Sequence, residues 1–120
     1  MKDTTTEVHI IDATGKRLGR VATEVSALLM GKHRTDAVRH MVAPIKVTVE
    51  HVSKLLISEK KRLQKEYDRY TGYPDGRRIL SMEKMIDRKG YAELMRKAVY
   101  GMLPSNKLRA VRMKKLTISE

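Results

Sequence analysis

Apolar residues at positions 18, 21, 22, 25, 28 and 29 repeat with the period of a single helix face. A helix from Leu18 to Met30 with one apolar stripe cannot stand alone; it needs a surface to bury that stripe against. Gly31 follows at once and is placed to stop it. The partner surface is legible on either side. Val8-His9-Ile10-Ile11 is a β-branched run ended by Asp12-Ala13-Thr14-Gly15, a strand followed by a turn. Ile45, Val47 and Val49 alternate with Lys46 and Thr48 as a second strand, and Leu55-Leu56-Ile57 is a candidate third. Ser81 can cap a short helix through Lys89, with Met82, Met85 and Ile86 inward and Gly90 as its stop. Tyr91, Leu94, Met95, Ala98 and Met102 continue as another helix ahead of Pro104, and Leu116-Thr117-Ile118 reads as a last strand. Strands alternating with helices predict an α/β domain with a partly parallel sheet. At 120 residues this is one domain, long enough to bury roughly two-thirds of its unfolded surface.

Two segments resist this reading. Residues 59–70, EKKRLQKEYDRY, are helical by propensity but have no continuous apolar face. Residues 106–115 are basic and weakly amphipathic. Wound as a helix they would turn 108 and 111 inward and splay 107, 112, 114 and 115 outward as a cationic ridge.

The chain carries 26 Lys+Arg against 14 Asp+Glu, a formal net charge of +12. Self-repulsion of that size disfavours a compact state unless a polyanion neutralises it, and nucleic acid is the leading candidate. An anionic membrane is a weak alternative, because the longest apolar run, Ala27-Leu28-Leu29-Met30, is far too short to span one. The start, MKDTTTEV, lacks the apolar core of a signal peptide and the Arg-rich character of a transit peptide, pointing to a soluble intracellular protein. With no cysteine there is no disulfide framework and no thiolate metal site.

Catalytic and cofactor patterns fail in detail. DATGKRLGR places Gly15-Lys16 before a helix, yet the upstream glycine of a phosphate loop is missing and Arg17 stands where Ser or Thr is needed. What remains is Lys16, Arg17 and Arg20 crowding a helix N-terminus whose N–H groups already favour an anion; a solvated surface turn is the alternative. His9, His33, His40 and His51 show no metal-ligand spacing, and Ser81 and Ser105 read as caps. The expectation is no catalytic residue, no metal, no cofactor and no small-molecule substrate.

The basic residues cluster. Lys32-His33-Arg34 and Arg39-His40 follow the first helix, and Lys107, Arg109, Arg112, Lys114 and Lys115 form a run without an acid. The stretch RYTGYPDGRR at 69–78 is the most specific. Pro74 fixes φ and Gly76 can take a positive φ, so Tyr-Pro-Asp-Gly is a turn, while Gly72 permits close backbone approach. Tyr70 and Tyr73 can stack on bases, and Arg69, Arg77 and Arg78 can grip phosphates, as suits a loop wedged into folded RNA. The other reading is a hairpin turn whose tyrosines cover the edge of the core.

IIDATGKRLGRVATEV (10–25), LLMGKH (28–33), YDRYTGYPDG (67–76), KAVYGMLPSNKL (97–108) and MKKL (113–116) together resemble the bacterial-type large-subunit ribosomal protein thirteen family, in order and over nearly the whole chain. The resemblance implies a three-layer α/β/α domain with a small, mostly parallel four-stranded sheet, carrying a basic extended arm at 59–78 and a basic C-terminal segment at 105–116. It implies a non-enzymatic constituent of the large subunit in the cytoplasmic ribosome, bound to large-subunit rRNA beside neighbouring ribosomal proteins and active early in assembly. Free-standing regulation of messenger RNA, or RNA modification by a small α/β enzyme, are the rival functions. Carried over by position, Lys16, Arg20, Lys32, His33, His40, Arg69, Thr71, Gly72, Tyr73, Pro74, Gly76, Lys97 and Asn106 match the family's pattern, and the charged and loop members are the expected RNA contacts. Gly101, Met102, Leu103 and Pro104 match as well, and Gly101 to Asn106 read equally as a structural turn that sets up the basic C-terminal segment. The chain departs from the pattern at Met41-Val42-Ala43-Pro44, where an acidic, Gly-containing turn is usual. It also departs at His9 (usually aromatic), Tyr70 (usually His), and Asp75 and Arg109 (usually Gly).

Overall fold

A computed structural model describes residues 6–35 and 40–120. The first strand, β1 (Glu7–Asp12), is followed by helix α1 (Leu18–Met30) and strand β2 (Ile45–Glu50). The expected stop is in place: Gly31 sits in the left-handed region at φ 74°, and its N–H bonds back into the last turn of α1. β1 and β2 pair in parallel with His9 opposite Val47 and Ile11 opposite Val49. The short C-terminal strand β5 (Leu116–Ile118) adds on the other side of β2, also parallel, with Leu116 opposite Val47. The sheet therefore has the order β1-β2-β5.

Side chains alternate across this sheet as strand geometry requires. Ile11, Ile45, Val47, Val49 and Leu116 point to one face and join the core of α1 (Val21, Ala22, Val25, Leu29) and of the helix α4 (Tyr91–Met102), which contributes Leu94, Met95 and Val99. Val8 and Ile10 point to the other face and remain 63% and 65% exposed. The fold is a mixed α/β globule with a small parallel sheet. Among the described residues the sheet has three strands rather than the four expected, and one of its faces has no helical layer over it.

The further strands form a separate antiparallel hairpin, β3 (Glu66–Tyr70) and β4 (Arg77–Ser81). It leads into α3 (Met82–Lys89), whose N-cap Ser81 accepts from the N–H of Lys84 as expected. The radius of gyration is 16.0 Å, against about 14 Å for a compact domain of this length. Helix α4 starts at Gly90 with no cap of its own, and the Glu120 carboxylate accepts from the Ala92 N–H at 3.2 Å, a favourable charge at a helix N-terminus.

Three expectations are corrected. Residues 55–57 make no strand; Leu56 forms only an isolated parallel bridge to Arg17. The 59–70 arm is not extended throughout. Its first half is α2 (Glu59–Gln64), capped by the Ser58 hydroxyl on the Lys61 N–H at 3.3 Å, so the local helical propensity wins there. The C-terminal basic segment is a helix, α5 (Leu108–Lys114), but with a different phase: Arg112 is 4% exposed while Val111 is 43% exposed. The phase is set by docking Met113 and the following Leu116 on the core, which carries Arg112 in and turns Val111 out.

The Arg112 Nε is buried without a hydrogen-bond partner, and no ion pair forms to it among the described residues. Replacing such a charge by an apolar side chain of similar reach is usually neutral or stabilising. Arg112→Met is therefore expected to keep or raise the urea midpoint, and a loss above about 2 kcal/mol would show the guanidinium to be satisfied in the fold.

Candidate nucleic-acid interface

The 69–78 stretch closes the hairpin. Tyr70 stands opposite Arg77 at the end of the β3–β4 ladder, and the loop folds back through Gly76 N–H to Tyr73 O at 2.9 Å and Thr71 N–H to Gly76 O at 3.3 Å. The positive φ values fall at Gly72 (90°) and Asp75 (60°), not at Gly76 as the turn reading expected. Gly76 is needed for space instead: a Cβ there would strike the Thr71 hydroxyl and come within 2.8 Å of Tyr73 O. Asp75, a residue tolerant of the left-handed region, can stand where glycine is usual. Tyr70 and Tyr73 are 68% and 75% exposed, so they do not cover the core edge. Pro74, Thr71, Arg77 and Arg78 are exposed beside them. The Arg77–Asp68 pair, 3.4 Å apart, is solvent-exposed and correspondingly weak.

Between the hairpin and α3 lies a groove of about 450 Å³. Its deeper lining is apolar: Met85, which is buried, and Tyr67 and Leu80, which are half-buried. Its sides carry Arg69, Arg78, Lys84, Arg88, Lys89 and Lys97, against one acid, Asp68. None of those cations forms an ion pair among the described residues. Lys97 and Lys65 place their Nζ atoms 5.4 and 5.7 Å from the Tyr67 ring centroid, within cation–π range. Burial pushes the Tyr67 hydroxyl above its usual 10.0, so it stays protonated at neutral pH. The fold thus brings Arg69, Arg78 and Lys97 together. It adds Lys84, Arg88 and Lys89, which sequence reasoning missed because α3 was read for its apolar face alone. The signal was present, since Lys84 and Arg88 are i,i+4 neighbours on one side of that helix.

The remaining candidates form separate patches. Lys16, Arg17 and Arg20 are exposed around the start of α1, whose first turn has no acid and no side-chain cap. Lys32 and His40 are also exposed; Arg39 lies outside the described residues. His33, which stays exposed, and the half-buried Arg34 both bond to Glu7 at the start of β1. His33 Nε2 and His9 Nε2 lie 3.1 and 3.2 Å from one Glu7 oxygen, and Arg34 donates to the other at 3.0 Å. The spacing of the histidines suggested no metal site, yet the fold gathers Glu7, His9 and His33 with ligand atoms within 4.8 Å of one another. At α5, Asn106 Oδ1 accepts from the Leu108 N–H at 3.1 Å, a capping role, and Lys107 and Lys114 are exposed. Arg109 stacks 3.8 Å over the Tyr100 ring and donates to the Tyr100 hydroxyl and to Ser105 Oγ, so Ser105 supports an arginine rather than capping a helix. Lys115 donates to Ala43 O at 2.9 Å and ties the C-terminal segment to the turn before β2; with Arg112 it leaves the expected outward ridge.

Dispersed, unpaired cations, an exposed tyrosine loop and a cationic groove on a small α/β body are the build of an RNA-binding scaffold protein. No helix among the described residues is long and apolar enough to cross a membrane. The model of the family described as Ribosomal protein L13 matches residues 6–120. The large ribosomal subunit protein uL13 of Clostridioides difficile (strain 630) is 41% identical over 110 residues, spanning 92% of this chain and 76% of that protein. Its counterpart in Rubrobacter xylanophilus is 41% identical with the same coverage, and that of Pelotomaculum thermopropionicum is 39% identical over 111 residues. The chain belongs to the ribosomal protein L13 family.

The Glu7 cluster carries a pH dependence. Hydrogen bonds from His33 first and His9 second, with the Arg34 charge adding, hold the Glu7 carboxyl below its ordinary 4.5. A depressed acid stabilises the fold fully above its unfolded value and loses that contribution as pH falls through the folded one. Thermal melts of the wild type and of Glu7→Gln are expected to differ above pH 4.5 and to converge below it. A difference that persists undiminished into acid would contradict this.

Proposed function

We propose that this chain is a structural constituent of the large ribosomal subunit, held there by large-subunit rRNA and by neighbouring ribosomal proteins, and that it supports early assembly of that subunit in the cytoplasmic ribosome. It is not an enzyme; like the family it belongs to, it works by binding and rigidifying. The observation that carries the reading is the set of cations that the fold leaves without carboxylate partners around the hairpin and α3. Charge of one sign that the protein does not neutralise internally is available to phosphates, and the exposed Tyr70 and Tyr73 add stacking surfaces beside it.

In this reading the RNA contacts are made by the loop 71–76 with Arg69, Arg77 and Arg78; by Lys16, Arg17 and Arg20; by Lys32 and the basic residues after it; and by Lys97, Lys107, Arg109 and Lys114. Arg109 is pre-organised by Tyr100, which lowers the entropy lost on gripping a phosphate. Lys115 acts from inside, by tying the end of α5 to Ala43 O, and the buried Arg112 is not among the contacts. The whole chain serves as one domain. The third layer that the resemblance implies would lie over the Val8–Ile10 face, which the described residues leave open.

Arg77→Ala combined with Arg78→Ala tests this directly. Both side chains are exposed, so the circular-dichroism spectrum is expected to be unchanged. Incorporation into large subunits should fall, and the salt slope of rRNA binding should drop by about two, one for each phosphate that an arginine no longer neutralises. An unaltered slope with normal incorporation would remove the hairpin from the interface.

A further inference from the structure

The groove beside the hairpin differs from the other basic patches in being concave and amphipathic. A basic surface that only lies along a duplex needs no apolar recess, because an A-form helix presents its phosphates outward and can rest on a flat or ridged patch. Here Met85, Leu80 and Tyr67 line the depth while cations occupy both banks. At about 450 Å³ the recess is within the roughly 300–1,000 Å³ of sites that enclose a small organic ligand.

The hairpin bank contains a conflict that the protein does not resolve alone. Arg69 and Arg78 are directly opposite in the antiparallel ladder, on the same face as the Tyr67–Leu80 pair, and both line the groove. Like charges directly opposite each other weaken a sheet. The one lining acid, Asp68, is spent on Arg77, on the opposite face of the hairpin. On the far bank Lys84 and Arg88 repeat the like-charge arrangement at i,i+4 on α3. Two facing pairs of repelling cations, separated by an apolar recess, ask for two anions joined by something flat and apolar.

We propose that this groove holds one unstacked, single-stranded nucleotide of the rRNA, its base against Leu80 and Met85 and its flanking phosphates on the Arg69–Arg78 and Lys84–Arg88 pairs. This rests on the rRNA-binding reading above and assigns it a distinct form of contact. The occupant is RNA rather than an acidic peptide because alternation of anion, flat apolar ring and anion is the repeat of a nucleic-acid strand. Lys97, held over Tyr67, adds a further cation to the lining.

The test places a photocrosslinking residue, p-benzoylphenylalanine, at Lys89, which lines the groove, is exposed and belongs to neither of the two proposed phosphate-binding pairs. The full-length variant is assembled into large subunits, and incorporation is scored in the same sample. The expected result is a crosslink to one or two rRNA nucleotides that are unpaired in the subunit and whose bases chemical probes reach only when the protein is omitted. Lys84→Glu with Arg88→Glu, both on exposed positions, should abolish that crosslink while the variant still binds rRNA through the loop. Crosslinking only to base-paired rRNA, or only to another ribosomal protein, in subunits that contain the variant would overturn the groove proposal and leave the ribosomal reading standing. Failure of the unaltered chain to enter subunits would instead sink the ribosomal reading itself.

Discussion

Like-charge repulsion among 26 lysines and arginines, set against 14 carboxylates, acts on every part of this chain. The fold does little to relieve it from within. Among the described residues only Glu7, Asp68 and Glu93 hold cations or histidines at ion-pair distance. The Asp68 and Glu93 pairs are largely exposed and contribute little in water. The remaining positive charge is spread over the hairpin, α3, the start of α1 and α5, where an external polyanion can neutralise it.

What the folded core contributes is placement. The β1-β2-β5 sheet and the packing of α1 and α4 on one of its faces hold α5 and the strand after it in a fixed relation, and α3 is docked on α4 with Met82 and Met85 buried. Because α3 is anchored, the hairpin that leads into it is aimed as well. Its loop can therefore project two tyrosines and its stem can face two arginines toward the same groove as Lys84 and Arg88. A rigid basic arm of this kind loses less entropy on binding than a disordered one would.

Much of the fold was legible because its signals are local and periodic. The stripe from Leu18 to Leu29, the stop at Gly31, the alternation at 45–49 and the Ser81 cap each depend on neighbours a few residues away. The failures have non-local causes. Strand β3 pairs only with β4 and buries almost nothing, so EYDRY has no apolar alternation to announce it. The phase of α5 follows from docking Met113 and Leu116, which makes Arg112 an interior residue despite lying in a run of cations. His9 and His33 are 24 positions apart and meet only because β1 runs beside the turn that ends α1. The groove cations on α3 were overlooked for a related reason: a helix's polar face acquires meaning only once its neighbour is known. By contrast, the stretch 69–78 was readable as a knuckle from proline, glycine and tyrosine alone, although the positive φ belongs to Asp75 rather than Gly76.

If phosphates supply the missing negative charge, binding must release the counterions that RNA otherwise condenses. Affinity of the purified protein for large-subunit rRNA, measured across a salt series, tests this most directly. About six to ten phosphate contacts predict a slope of log affinity against log salt of about −5 to −9, and a loss of about 10³–10⁵ in affinity between roughly 50 and 200 mM salt. A slope near zero, with tight binding retained in high salt, would mean that something other than charge neutralisation holds this protein to its partner.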